Sequence, residues 1–171
     1  MAIKLKDENI LDQWSTVIDD AAGHAFEVLE DIQEHLEASR FPDGTSWKLE
    51  EVKSGGGMFG GGTKRELLFI RQKALSDYKM YVGVRDYGAH LDICRFLTCE
   101  PGRVKKFIAE KLAGYSEALS QPSDILNEQD LRAWVTVVHH CVVGATGALM
   151  KRLDQDPTTI NRTSKGALEV W

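Results

Sequence analysis

The chain has 171 residues, 43% of them hydrophobic, which is enough for one domain with a core of its own. Lys plus Arg number 21 against 26 Asp plus Glu, and the net charge of −5 lacks the basic excess that nucleic-acid binding draws on. Met1 to Asp7 carries no apolar run of a signal peptide, and the three cysteines, Cys94, Cys99 and Cys141, lack CxxC spacing, so a cytoplasmic, reducing setting is expected.

The first element is expected to be a long helix from Asn9 to Ser39, with Asp7 or Asn9 as N-cap. Leu11, Trp14, Ile18, Ala21, Ala25, Leu29, Ile32 and Leu36 recur at spacings of three and four, one apolar stripe on a helical surface. Asp12, Asp19, Asp20, Glu27, Glu30, Asp31, Glu34 and Glu37 lie between them and make the opposite face acidic, a solvated surface or a docking surface. The same stripe would also suit a coiled-coil homodimer, although a neighbouring sheet gives it an intramolecular partner.

Pro42-Asp43-Gly44 is a turn, because proline sets φ and glycine accepts the unusual backbone angle. Four strands follow: Ser46 to Lys53, Arg65 to Gln72, Tyr78 to Arg85 and His90 to Thr98. The third is the clearest, with Tyr78, Met80, Val82 and Val84 alternating against Lys79, Tyr81, Gly83 and Arg85. Gly88 supplies the positive φ of the hairpin after it. Between the first two strands lies Gly55 to Gly62, six glycines around Met58 and Phe59.

Beyond Pro101-Gly102, Arg103 to Ser120 reads as a helix carrying Val104, Phe107, Ile108, Leu112, Tyr115 and Leu119 on one side. A second C-terminal helix opens near Asn127 and carries Leu131, Trp134, Val138, Val142, Ala145, Leu149 and Leu153 before Asp156-Pro157 stops it. Within it, Ala133 to Met150 is 18 residues without Asp, Glu, Lys or Arg, nominally long enough to span a bilayer. His139, His140, Thr136 and Thr146 dilute it, so a helix buried in protein is expected and no membrane span. Residues 1–157 then form one α+β domain, and 158–171 a loosely ordered tail whose end, Leu168 to Trp171, docks.

Gly55, Gly57 and Gly60 match GxGxxG, but that phosphate cradle needs a helix behind it and a strand follows here. Asp86-Tyr87-Gly88 lacks the catalytic loop a kinase requires, and Gly62-Thr63-Lys64 reverses the P-loop order. The segment is either a flexible connector whose Met58 and Phe59 fold back onto the sheet or a binding tip, on which Met58 and Phe59, flanked by Gly57 and Gly60, could insert into a partner or touch a membrane surface. His90, Asp92 and Cys94 occupy i, i+2 and i+4 of one strand and so share a face. They are metal-ligand types, and zinc would need a further donor such as His139, His140 or Cys141. The run His139-His140-Cys141 suggests an activated thiol, but adjacent helical residues point about 100° apart.

The expected architecture is a two-layer α+β sandwich of a long N-terminal helix, a four-stranded antiparallel meander and two C-terminal helices. Without a coherent catalytic motif, the expected function is a non-enzymatic binding or adaptor module for a protein partner. A small apolar ligand or substrate in the groove between sheet and helices, and a metal site, are the alternatives.

Overall fold

The period-two segments of the middle of the chain form the longest strands of a computed structural model, which describes residues 3–5, 10–54, 63–99 and 122–171. Strands β3 (Thr45–Ser54), β4 (Thr63–Gln72), β5 (Tyr78–Tyr87) and β6 (His90–Cys99) are consecutive and antiparallel. In β5, Met80 and Val82 lose all solvent exposure on the face they share with Tyr78 and Val84. Pairing of β5 with β6 runs from Tyr78↔Cys99 to Tyr87↔His90 and closes at Gly88, whose φ is +64°. The chain is thus α+β with an antiparallel sheet.

The expected thirty-residue helix at the N-terminus does not form. Residues Ile10–Ile18 are strand β2, and helix α1 begins only at Ala25 and ends at Ala38. Between them Asp20 adopts φ +51° and Gly23 φ +92°, left-handed angles that no α-helix tolerates in its interior. In β2 the inward residues Asp12, Trp14 and Ile18 follow a period of two, and a bulge between Ile10 and Asp12 buries Leu11 as well. The apolar spacings of three and four are therefore produced by a strand, a bulge, a turn and a helix in succession.

Nor is the sheet a four-stranded meander. The order is β1-β3-β4-β5-β6-β2-β7, with β1 (Ile3–Leu5) parallel to β3 and the other six strands antiparallel. Strand β2 pairs along β6 from Ile10↔Thr98 to Ile18↔Leu91. Strand β7 (Lys165–Gly166) pairs with β2 at Asp12↔Gly166 and Gln13↔Lys165. Among the described residues there are two α-helices, α1 and α2 (Pro122–Arg152), only the second of them C-terminal. The expected helix from Arg103 to Ser120 and the segment Gly55 to Gly62 lie outside the described residues.

Both helices lie on one face of the sheet. Helix α1 buries Val28, Ile32 and Leu36 there, and α2 buries Leu131, Trp134, Val135, Val138, Val142, Ala145 and Leu149. They run antiparallel: Arg152 Nη2 bonds Asp31 and Glu27 of α1 at 2.7 and 2.9 Å, Gly144 faces the His35 ring, and Ser39 Oγ lies 3.3 Å from Cys141 Sγ. Leu126–Arg152 is long and apolar enough to cross a membrane, but 61% of its most apolar stretch is buried within this protein. Burial explains the composition without a bilayer.

The segment after Asp156-Pro157, expected as a loose tail, is packed. Ile160, Ser164, Leu168 and Val170 are buried, Ala167 N donates to Leu11 O, and His140 Nε2 bonds the Trp171 carbonyl. Gly166 sits at φ +137°, where a Cβ would lie 2.4 Å from Leu11 O. Gly166→Ala therefore cannot keep this register and is expected to lower stability by about 1–3 kcal/mol. A urea midpoint equal to that of the parent chain would show that the C-terminal strap does not contribute to the fold.

Candidate functional site

The residues singled out from the sequence are dispersed. Met58, Phe59, Gly57 and Gly60 lie outside the described residues. His90, Asp92 and Cys94 do line one face of β6, the face turned away from the helices, but each is engaged differently. Asp92 Oδ2 accepts from Arg85 Nε at 2.8 Å, and His90 Nδ1 lies 3.0 Å from Asp19 Oδ1 across the β2–α1 turn. The Cys94 sulfur packs on Gly83, where a Cβ would come within 2.9 Å of it. Burial, then the neighbouring Asp92 charge, pushes its thiol up to about 11, so it is protonated at neutral pH. Among the described residues no group of three His, Cys, Asp or Glu side chains converges on one point.

The run on α2 divides similarly. His139 is buried against β2, His140 is exposed, and Cys141 turns toward Ser39 of α1. Burial raises the Cys141 thiol as well, which is opposite to what an activated nucleophile requires. Among the described residues its side-chain partner is the Ser39 hydroxyl, and no histidine bonds to it.

What the sequence hid is a buried polar lock between the sheet and α2. Asp12 of β2 and Arg95 of β6 are fully buried on the inner face, and Arg95 Nη2 donates to Asp12 Oδ2 at 2.6 Å. The other carboxylate oxygen accepts from Ser164 Oγ at 3.0 Å and from Glu169 N at 3.3 Å, and Val170 N donates to Ser164 Oγ at 3.0 Å. Trp14 Nε1 donates to Asn161 O at 2.7 Å while its ring meets His139 edge-on at 5.6 Å. His139 Nε2 donates to the Arg162 carbonyl. Burial is the largest influence on this imidazole and lowers it to about 4, with the Arg162 bond opposing and the Arg95 charge assisting.

Aspartate, histidine and serine are the residue types of a hydrolytic triad, but the bonds run elsewhere. Serine donates to aspartate, and histidine donates to a backbone carbonyl, so no base faces the hydroxyl. The cluster secures the C-terminal strap.

A surface of another kind lies at the far side of α1. Residues Glu27, Asp31 and His35 face α2, so the flank bearing Phe26, Leu29 and Gln33, at i, i+3 and i+7, faces the opposite way. Phe26 is 69% exposed and Leu29 only half-buried. On the inner face of β3, Trp47 is half-buried and Leu49 is 45% exposed, although their register partners Ile70 and Leu68 are fully buried. Where the α1–β3 connection turns, Leu36, Arg40, Phe41, Asp43, Thr45 and Trp47 line an open depression of about 350 Å³. This depression is the groove beside α1; Glu37 and Asp43 line it, and Glu30 and Glu34 are exposed farther along the helix. Leu29 and Leu49 were visible in the sequence as apolar positions, but nothing in their spacing separates a covered position from an open one.

No family model, no curated protein and no solved structure matches this chain.

Removing one partner of the lock strands the other charge in the core, so Asp12→Ala is expected to cost about 3–5 kcal/mol. The double variant Asp12→Ala, Arg95→Met should recover part of that loss in urea denaturation. An Asp12→Ala chain as stable as the parent would remove the lock from the account.

The histidine makes a pH prediction. Folded His139 takes its proton only near pH 4, whereas an unfolded histidine takes it near 6.5. Between those values the unfolded chain binds more protons, so stability falls as pH drops from 6.5 to 4, by about 3 kcal/mol at most. His139→Gln should flatten that slope relative to the parent; an unchanged slope would show that His139 does not titrate with folding.

Proposed function

We propose that the protein is a non-enzymatic binding module whose partner-facing surface is the apolar groove beside α1. The reading rests on one observation: large apolar side chains stay exposed near the α1–β3 depression, with Leu49 45% exposed beside Trp47 on β3 and Phe26 69% exposed on the free flank of α1. Folded chains seldom leave apolar surface contiguous across two elements unless a partner removes it from water. Burying one such side chain on binding is worth about 1.5–3 kcal/mol before association costs, so two or three anchors suffice for a reversible contact.

A small apolar ligand is the second reading, favoured by the depression of about 350 Å³ at the α1–β3 turn, a volume at the lower end of what ligand sites occupy. Its walls include Arg40 and Asp43, and it opens to solvent, which suits the end of a longer groove better than a closed pocket.

Binding of 1-anilinonaphthalene-8-sulfonate, which brightens on apolar surface, separates the two. The folded chain is expected to enhance its emission, and Leu49→Glu and Phe26→Asp to reduce it by about half or more while changing stability by less than about 0.5 kcal/mol, since both side chains are exposed. Emission lost only with Trp47→Ala assigns the site to the depression. Emission untouched by all three substitutions removes the groove as a binding surface.

A further inference from the structure

We propose that the partner at β3 is a second copy of this chain, paired antiparallel along the free edge of the strand, an assignment that rests on the reading of this side of the molecule as a binding surface. The backbone bonds of β3 define that edge. Lys73 N donates to Gly44 O at 3.0 Å, one step beyond the Thr45↔Gln72 pair, and antiparallel ladders alternate bonded with unbonded pairs. Ser46, Lys48 and Glu50 therefore spend their backbone groups on β4, whereas the N–H and C=O groups of Trp47 and Leu49 point away from it. Among the described residues only β1 pairs with β3 on that side, and only over Val52–Ser54. Leu49 is 45% exposed. An edge with unpaired backbone groups and an exposed apolar side chain is a template for another strand.

The backbone leaves one register for two copies. Outward groups must meet outward groups, so Trp47 and Leu49 can pair only with one another or with themselves, and the twofold axis passes through a residue position. Centring on Leu49 sets Ser46 against Val52 of the second copy, where β1 already pairs. Centring on Trp47 sets Leu49 against Thr45, whose N–H is held by Pro42 O at 3.3 Å. Centring on Lys48 meets neither obstacle. Trp47 of each copy then pairs with Leu49 of the other, and each pair exchanges both of its backbone bonds.

The side chains agree with that register. On the face toward the helices each Trp47 lies beside a Leu49, an aromatic–aliphatic cross-strand pair in either half. On the outer face Lys48 meets Lys48 of the second copy, but its Nζ is held 2.7 Å from Glu50 Oε1, so neutralised pairs face each other rather than bare charges. Ser46, whose Oγ accepts from Arg71 Nε at 3.1 Å and keeps its own proton, stands opposite the Glu50 carboxylate. The contact is isologous and closes at two copies. Its short length places it in the weak, reversible class.

Sedimentation velocity of the full chain between about 2 and 300 µM, with amide hydrogen exchange at both extremes, tests the pairing. A monomer–dimer equilibrium is expected, in which the Trp47 and Leu49 amides exchange at least about threefold more slowly at the high concentration while those of Lys48 and Glu50 are unchanged. Leu49→Pro removes an outward N–H that β4 does not use, and Leu49→Lys sets a charge on the apolar pair; each is expected to leave a monomer throughout the range. Because Leu49 is exposed, Leu49→Lys should keep the urea midpoint of the parent even if Leu49→Pro does not. A dimer that persists in Leu49→Lys, protection that falls on other strands, or assembly beyond two copies overturns the pairing. A monomer at every concentration overturns the second copy, and the loss or survival of anilinonaphthalene sulfonate emission in Leu49→Glu then decides the binding reading by itself.

Discussion

The ion pair between Asp12 and Arg95 is the constraint on which the fold turns. Two charges with no exposed surface are costly to desolvate, and their attraction offsets that cost only when the remaining hydrogen-bonding capacity is used. Asp12 uses its capacity on Ser164 Oγ and Glu169 N, in a segment more than 150 residues away in the chain, whereas Arg95 Nε and Nη1 make no hydrogen bond and leave part of the cost of burial standing. The pair joins β2 to β6, and the bonds from Ser164 and Glu169 to Asp12 hold the C-terminal residues against the β2 edge, where β7 pairs. Trp14, His139 and the carbonyls of Asn161 and Arg162 extend the same arrangement onto α2.

With β2 placed beside β6, the helices have fixed territory. Helix α2 covers β6 and the strap, and α1, antiparallel to it and tied by Arg152, covers β5. Seven strands span six spacings, about 29 Å, whereas the two helices among the described residues, each about 10 Å across, cover roughly 20 Å. The deficit is close to the width of one more helix, and it falls on β3 because the other edge is closed by the strap.

The sequence makes the central strands plain because their alternation is local: Tyr78, Met80, Val82 and Val84 sit two apart, and each inward residue is apolar. The same rule fails in β2 for a physical reason. Its inward residues are Asp12, Trp14 and Ile18, and an aspartate at a core position reads as surface until Arg95, 83 residues on, is known to neutralise it. With Asp12 set aside, Leu11, Trp14, Ile18, Ala21 and Ala25 fall by coincidence on helical spacing, and only the left-handed angles at Asp20 and Gly23 break the run. Arg95 was concealed in the same way, as a charge among Leu91, Ile93 and Leu97. The groove was less legible still, since its apolar residues are ordinary members of amphipathic elements and its openness depends on what does not pack against them.

The lock and the groove lie toward opposite edges of one sheet face. From β2 to β3 there are four strand spacings, roughly 19 Å, beyond the range at which substitutions usually couple. The lock can therefore keep its buried charges and its neutral histidine without constraining which side chains line the groove, and the groove can expose Phe26 and Leu49 without loosening the core. Protonation of His139 acts on the strap and α2, on the side of the molecule away from β3.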